Sequence, residues 1–260
     1  MNAFEKLPGV WQLEDGMGVC MTLLCGSERA LLADTGYGLS DVRSLVNALT
    51  SQPLTVILTH AHHDHVLGAR CFERTHLFEA DLPAFSVYTS TAQRSKVASQ
   101  AQANGIAVPD DFFSYIPDPV PLAEETIDLG GISAQIIHCP GHTPGSAVIF
   151  VPERELLLTG DNWNPCTWLF FPEALGAQDY RRSLQQLLLL PFKHVLCSHQ
   201  PHLYDRSMLE SFLSGLSDEC LLSARKVDMG WPIDTREASP CENQIFVFDF
   251  AKTHLKESNP

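Results

Sequence analysis

Apolar positions along this chain switch between a period of two and a period near four, and the switches divide it into strands and helices. Val10-Trp11-Gln12-Leu13, Val19 to Cys25 and Ala30-Leu31-Leu32-Ala33 are short apolar runs separated by the turn signals Asp15-Gly16 and Gly26-Ser27, the pattern of a β-meander. Apolar residues at helical spacing follow from Val42 to Leu49, with Ser40 as the expected N-cap. Leu54-Thr55-Val56-Ile57-Leu58 reads as a buried strand, and Val66 to Arg70 as the first turn of the next helix. A short strand is predicted at 75–79, where His76 is read as structural.

The second half repeats this alternation. Thr126 to Leu129 and Ile132 to His138 form a predicted hairpin across Gly130-Gly131, and 147–151 and 155–158 two further strands. A helix is predicted over 178–190, a strand over 194–197, a long helix over 205–225 and a late edge strand over 244–250. Between the halves, 80–119 is the least regular part. Asp81 is expected to cap a short helix, and 89–104 reads as an Ala/Gln/Ser-rich helix closed by Gly105. No repeat, low-complexity tract or linker breaks the chain, so 1–260 is expected to be one domain with a helical insertion at about 80–119.

Composition narrows the partners. A net charge of −14, from 17 basic and 31 acidic residues, argues against nucleic acid and anionic membranes, because both are held by basic surfaces. Neither a signal-peptide core near the start nor an apolar run of membrane-spanning length is evident. Eight cysteines without a leader point to reduced thiols in a cytoplasm. The partner expected is a small-molecule substrate; the sequence leaves the oligomeric state open.

The candidate chemistry begins where the Leu54–Leu58 strand ends. Thr59-His60-Ala61-His62-His63-Asp64-His65 packs four histidines into six positions, against 11 in the whole chain. A solvated loop seldom concentrates imidazole this way, whereas zinc takes neutral imidazole and carboxylate readily. On an extended backbone His60 and His62 point to one side. Asp64 and His65 turn to the other as the helix begins, giving two half-sites a few ångströms apart. The two prolines and two glycines of Pro140-Gly141-His142-Thr143-Pro144-Gly145-Ser146 specify a rigid turn that projects His142. Asp161 follows a strand and Gly160, and alone could be a turn residue; Ser198-His199 ends the last short strand. Trp163, Trp168, Phe170 and Phe171 lie just past Asp161, and Phe112, Phe113 and Tyr115 in the irregular segment.

Together with Asp34-Thr35-Gly36, these motifs resemble the metallo-β-lactamase fold superfamily, whose T-H-x-H-x-D-H signature matches residues 59–65 and whose other motifs follow in order over roughly 10–200. The resemblance implies an α/β fold, the four-layer αββα sandwich. It implies one metal on His60, His62 and His142, a second on Asp64, His65 and His199, and Asp161 bridging them. Asp34 would then orient a ligand histidine from behind, and Asp64 would act in catalysis. Two divalent ions are implied, most simply Zn²⁺, with Fe or Mn as alternatives.

The expected reaction is hydrolysis of an ester, thioester or lactone by a zinc-activated hydroxide, in the manner of glyoxalase II-like and lactonase-like members. Trp163, Asn164, Trp168 and Phe112 are expected to line the substrate pocket. Three features set the chain apart from those relatives. Asn164 stands where lactonases have Tyr, Gln200-Pro201-His202 follows His199, and no basic C-terminal glutathione-binding domain is evident. The alternatives are an iron-dependent redox or sulfur-transfer enzyme, against which His62 argues because diiron members commonly carry Glu there, and a phosphodiesterase.

Overall fold

A computed structural model describes residues 1–256. Its core is two facing sheets. The first has seven strands in sequential order: β1 Asn2–Leu7, β2 Val10–Glu14, β3 Cys20–Cys25, β4 Ala30–Ala33, β5 Leu54–Ile57, β6 His76–Leu77 and β7 Val120–Pro121. It is antiparallel from β1 to β4 and parallel from β4 to β7. The second contains β8 Thr126–Asp128, β9 Ser133–His138, β10 Ala147–Val151, β11 Leu156–Leu158, then β13 His194–Leu196 and β14 Tyr204–Asp205.

Strand alternation decides which side chains face the partner sheet. Leu31, Ala33 and Ile57 from the first sheet meet Ile136, Ile149 and Leu158 from the second in one buried cluster. The intervening Leu32 and Val56 point outward onto Val42 and Val46 of helix α1 Val42–Leu49. Outward residues of the second sheet, including Val148, Phe150 and Val195, pack on Tyr180 and Leu184 of helix α5 Ala177–Leu187 and on Phe212 of helix α6 Arg206–Gly215. The expected αββα layering is therefore present. The outer layer on that side also holds a four-stranded sheet in the order β12 Cys166–Leu169, β17 Gln244–Asp249, β16 Thr235–Cys241, β15 Arg225–Lys226.

Several expectations are corrected. The late strand is no edge: β17 runs parallel to β12 on one side and antiparallel to β16 on the other. The helix predicted over 205–225 breaks into α6 and α7 Asp218–Leu222, because Gly215 presses against the Pro240 carbonyl and Ser217 starts a new helix, its hydroxyl accepting from the Cys220 amide. Asp41 rather than Ser40 caps α1, accepting from the Ser44 amide. The 78–119 segment, between β6 and β7, carries α3 Leu82–Tyr88 and α4 Thr91–Ala103, the latter capped by Ser90. Among the described residues no helix is long and apolar enough to cross a membrane.

Candidate metal centre

Every residue of the expected ligand set arrives at one end of the two facing sheets. His60 and His62 lie in the loop leaving β5, Asp64 and His65 in the single-turn helix α2 His63–Val66. His142 projects from the turn between β9 and β10, Asp161 from the loop after β11, and His199 from the loop after β13. One ligand atom from each of His60, His62 and His142 falls within 4.8 Å of the others, and so do those of Asp64, His65, Asp161 and His199. Two half-sites result, joined by His142 Nε2, 3.8 Å from Asp161 Oδ2.

The backs of these rings are held by groups that fix their tautomers. His65 Nδ1 donates to Asp34 Oδ2 (2.9 Å), and His142 Nδ1 to the Trp168 carbonyl (2.7 Å). Thr59 Oγ1 donates to Asp34 Oδ2 and so receives the proton of His60 Nδ1 at 3.1 Å. His62 Nε2 donates to Glu173 Oε1 (2.7 Å), on which Tyr88 Oη also donates at 2.7 Å. With those protons committed, the inward nitrogens offer lone pairs to the half-sites, the arrangement in which ligand histidines are usually oriented from behind.

Asp34 is the hub of this support. It adopts a positive φ of 68° at the end of β4, a backbone state uncommon outside glycine. There its carboxylate also accepts the Thr59 amide at 2.7 Å, so one buried side chain holds the start of the histidine loop and the ring of His65. Thr35 donates from both its amide and its hydroxyl to the His65 carbonyl, each at 2.8 Å. Asn162 accepts from the His142 amide and donates to the Cys139 carbonyl, clamping both ends of the histidine turn.

Asp81 corrects an expectation. Its side chain caps no helix. Buried, it accepts from the Ala61 amide (3.0 Å), Thr143 Oγ1 (2.7 Å) and the Gly145 amide (2.6 Å), tying the histidine loop to the histidine turn. A Cβ at position 145 would sit 2.7 Å from the Asp81 carboxyl carbon, which is why glycine stands there.

Within the two clusters, three buried atoms have no hydrogen-bond partner: His60 Nε2, His65 Nε2 and Asp161 Oδ1. Orphaned polar atoms of this kind are costly. Moreover, His62 Nδ1 and His142 Nε2 face each other at 2.9 Å, although the other nitrogen of each ring already donates to an oxygen that only accepts. Two lone pairs at that distance require a proton or a metal cation between them. The donor set thus fits a pair of divalent ions of the imidazole- and carboxylate-binding kind.

The electrostatics of the two halves differ. Burial, and then the neighbouring imidazoles, hold His60 well below its ordinary value, and burial with His62 brings His142 down to about 4. In the other half burial is outweighed by charge. His199 rises to about 9 against Asp161 and Asp64, while Asp161 is held far below the carboxylate range by His199 and His65. Burial alone would raise Glu173, but His62 and Tyr88 hold it down to about 2.

The expected pocket wall is mostly not at the site. Trp163 is fully buried in the layer behind the second sheet, its indole N–H donating to Gln244 Oε1 and its ring edge-on to Tyr204. Phe112, within the 78–119 segment, is buried against Val97 of α4 and against Leu58 and Ala61 of the histidine loop. Asn164 shapes the turn into β12, its Oδ1 accepting from the Cys166 amide. Of the four residues only Trp168 is exposed beside the centre. Phe171 instead lies against it, 4.5 Å from the His62 ring and 5.6 Å from His142. Sequence reasoning missed Glu173, Tyr88 and Asn162, and gave Asp81 the wrong task.

Comparison with known proteins gives the family. An uncharacterized protein of Mycobacterium tuberculosis is 31% identical over 162 residues, 58% of this chain and 66% of that relative, so the chain spans just under two thirds of its length. The acyl-coenzyme A thioesterase MBLAC2 of Gallus gallus is 25% identical over 78% of this chain and 73% of its own. The solved structure of TTHA1623 in a di-iron-bound form matches with a TM-score of 0.53 and 28% identity, over 73% of this chain and 92% of that one. The family model of the metallo-beta-lactamase superfamily matches residues 15–199, the stretch that holds all seven clustered residues, and the chain belongs to that superfamily.

Proposed function

We propose that the protein is a metal-dependent hydrolase that cleaves an ester, thioester or lactone at a dinuclear centre. The observation that carries this reading is the pair of buried donor clusters with unpartnered inward atoms. His60, His62 and His142 would hold one ion, Asp64, His65 and His199 the other, and Asp161 both. The similarity to a thioesterase over most of the chain supports an acyl substrate. Zinc is the metal we favour, and the di-iron-bound relative gives iron the second place.

When bound, the ions supply Lewis acidity, making water nucleophilic near neutral pH and polarising a carbonyl. The chain's own residues supply the rest. Asp64, whose Oδ2 lies 3.5 Å from His199 Nε2, would orient the attacking water and pass its proton to the leaving group. Asp34, Glu173 and the Trp168 carbonyl keep the ligand rings aimed inward. Phe171 closes one side of the centre to bulk water.

Metal analysis and turnover test the reading together. Purified protein is expected to hold close to two ions per chain and to cleave acyl esters or thioesters. Asp64→Asn should stay folded and lose turnover by at least about a hundredfold, the scale of a displaced proton-transfer group. One ion per chain, or full turnover in Asp64→Asn, would overturn it.

A further inference from the structure

Past the metal ligands, a row of aromatic rings leads from the centre to the surface. Phe171 stands against His62, and two exposed tryptophans flank it: Trp168 at 6.4 Å and Trp231 edge-on at 6.3 Å. Trp168 and Trp231 are 41% and 42% exposed, unusually open for tryptophan. They come from separate parts of the chain. Trp168 is on β12; Trp231 is at the tip of the connection between β15 and β16, which also carries the exposed Ile233. A strand and a strand connection of one small sheet thus bring two indoles to the same Phe171 ring.

We propose that Trp231, Phe171 and Trp168 form the acyl-binding shelf of the enzyme and select substrates with an extended alkyl or arylalkyl acyl group. The shelf rests on the reading of the centre as hydrolytic. A carbonyl held beside His62 and His142 places the acyl carbon next to the Phe171 ring, and the ring contacts continue outward from there to the two indoles. Indole faces cover methylene groups without needing a polar partner, and each indole N–H can remain in water at the rim. A short acyl group ends on Phe171 and never reaches Trp231. A longer one covers the tryptophans, and each buried methylene is worth about fourfold in affinity.

Equilibrium binding to the metal-loaded protein tests this separately from turnover. Tryptophan fluorescence titrations with acetate and octanoate, both carboxylate products of ester cleavage, are compared in the native protein and in Trp231→Ala. Octanoate is expected to bind at least tenfold tighter than acetate. Trp231→Ala should remove most of that ratio while changing acetate affinity and metal content less than twofold. In kinetics, kcat/KM for octanoyl but not acetyl esters should fall about tenfold in the variant. An unchanged octanoate-to-acetate ratio in Trp231→Ala, or no preference in the native protein, overturns the shelf. So does a Trp231-dependent dimer in sedimentation whose chain-length preference is unaltered, which would assign the rings to self-association. Intact discrimination in binding without turnover of any ester would overturn the hydrolytic reading and leave the shelf standing as an apolar ligand site.

Discussion

Glu173 shows how a residue of no motif reaches the centre. Its neighbours are Phe171-Pro172 and Ala174, and nothing in that spacing suggests a role. In the fold, its Oε1 takes protons from both His62 Nε2 and Tyr88 Oη. Tyr88 ends α3 and Glu173 follows β12, so the pair joins two distant segments behind one ligand. Removing such support typically weakens metal binding 10–100-fold. Glu173→Gln retains the shape but cannot accept with full charge, so one of the two ions should bind about tenfold more weakly in chelator competition, the other remaining unchanged. Tyr88→Phe should show a smaller loss at the same site, since it removes one of the two donors that stabilise the carboxylate. Equal weakening at both sites would instead mean that Glu173 acts on the whole fold.

At the scale of elements, the legible parts were those in which local pattern and tertiary role coincide. β2 to β5 and β8 to β11 combine β-branched or aliphatic runs with turn residues, and all lie in the facing sheets. The seven clustered residues are legible because metal chemistry restricts residue type, and four of them fall within six positions of one another. Aromatic residues carry no such restriction. Trp163 and Trp168 follow the same ligand, yet one turns into the core and the other to the surface, because residues 166–169 alternate sides while Trp163 precedes the strand. β15 and β16 escaped notice because Pro240 and a run of polar residues disguise a strand.

Asp81 reads as a cap in the sequence because a cap is a local role, whereas its partners in the fold, Ala61, Thr143 and Gly145, are distant along the chain. Asp81→Ala would leave the Ala61 and Gly145 amides unsatisfied in the interior and take one of the two partners of the Thr143 hydroxyl, which keeps Ser146 Oγ. At about 1–3 kcal/mol for each buried group left without a partner, partial relaxation included, the variant should lose roughly 2–4 kcal/mol in denaturant unfolding. It should also bind metal less well, because both histidine-bearing loops lose their tie. A loss below about 1 kcal/mol would mean that water replaces the carboxylate at no cost.

For the whole molecule, the centre is a joint between the two facing sheets. His60, His62, Asp64 and His65 follow a strand of the first sheet, whereas His142, Asp161 and His199 extend from the second. Direct backbone links at this end include Ala147 to Thr59 and Cys20 to Ser198, each at 2.7 Å. Ions ligated from both sides would bind the folded chain and not the unfolded one, whose ligands are scattered from residue 60 to residue 199. They must therefore stabilise folding in proportion to their affinity, by about 2.7 kcal/mol when free metal stands a hundredfold above Kd. Chelation should lower Tm by several degrees, and zinc added back should restore it in a concentration-dependent way. His142→Ala removes a donor contributed by the second sheet to the all-histidine half-site. It should reduce the metal-dependent part of Tm while changing the Tm of the chelated protein much less. If chelation empties the protein of metal and Tm does not move, the joint is held by the sheets alone, and the metal ions serve only the chemistry.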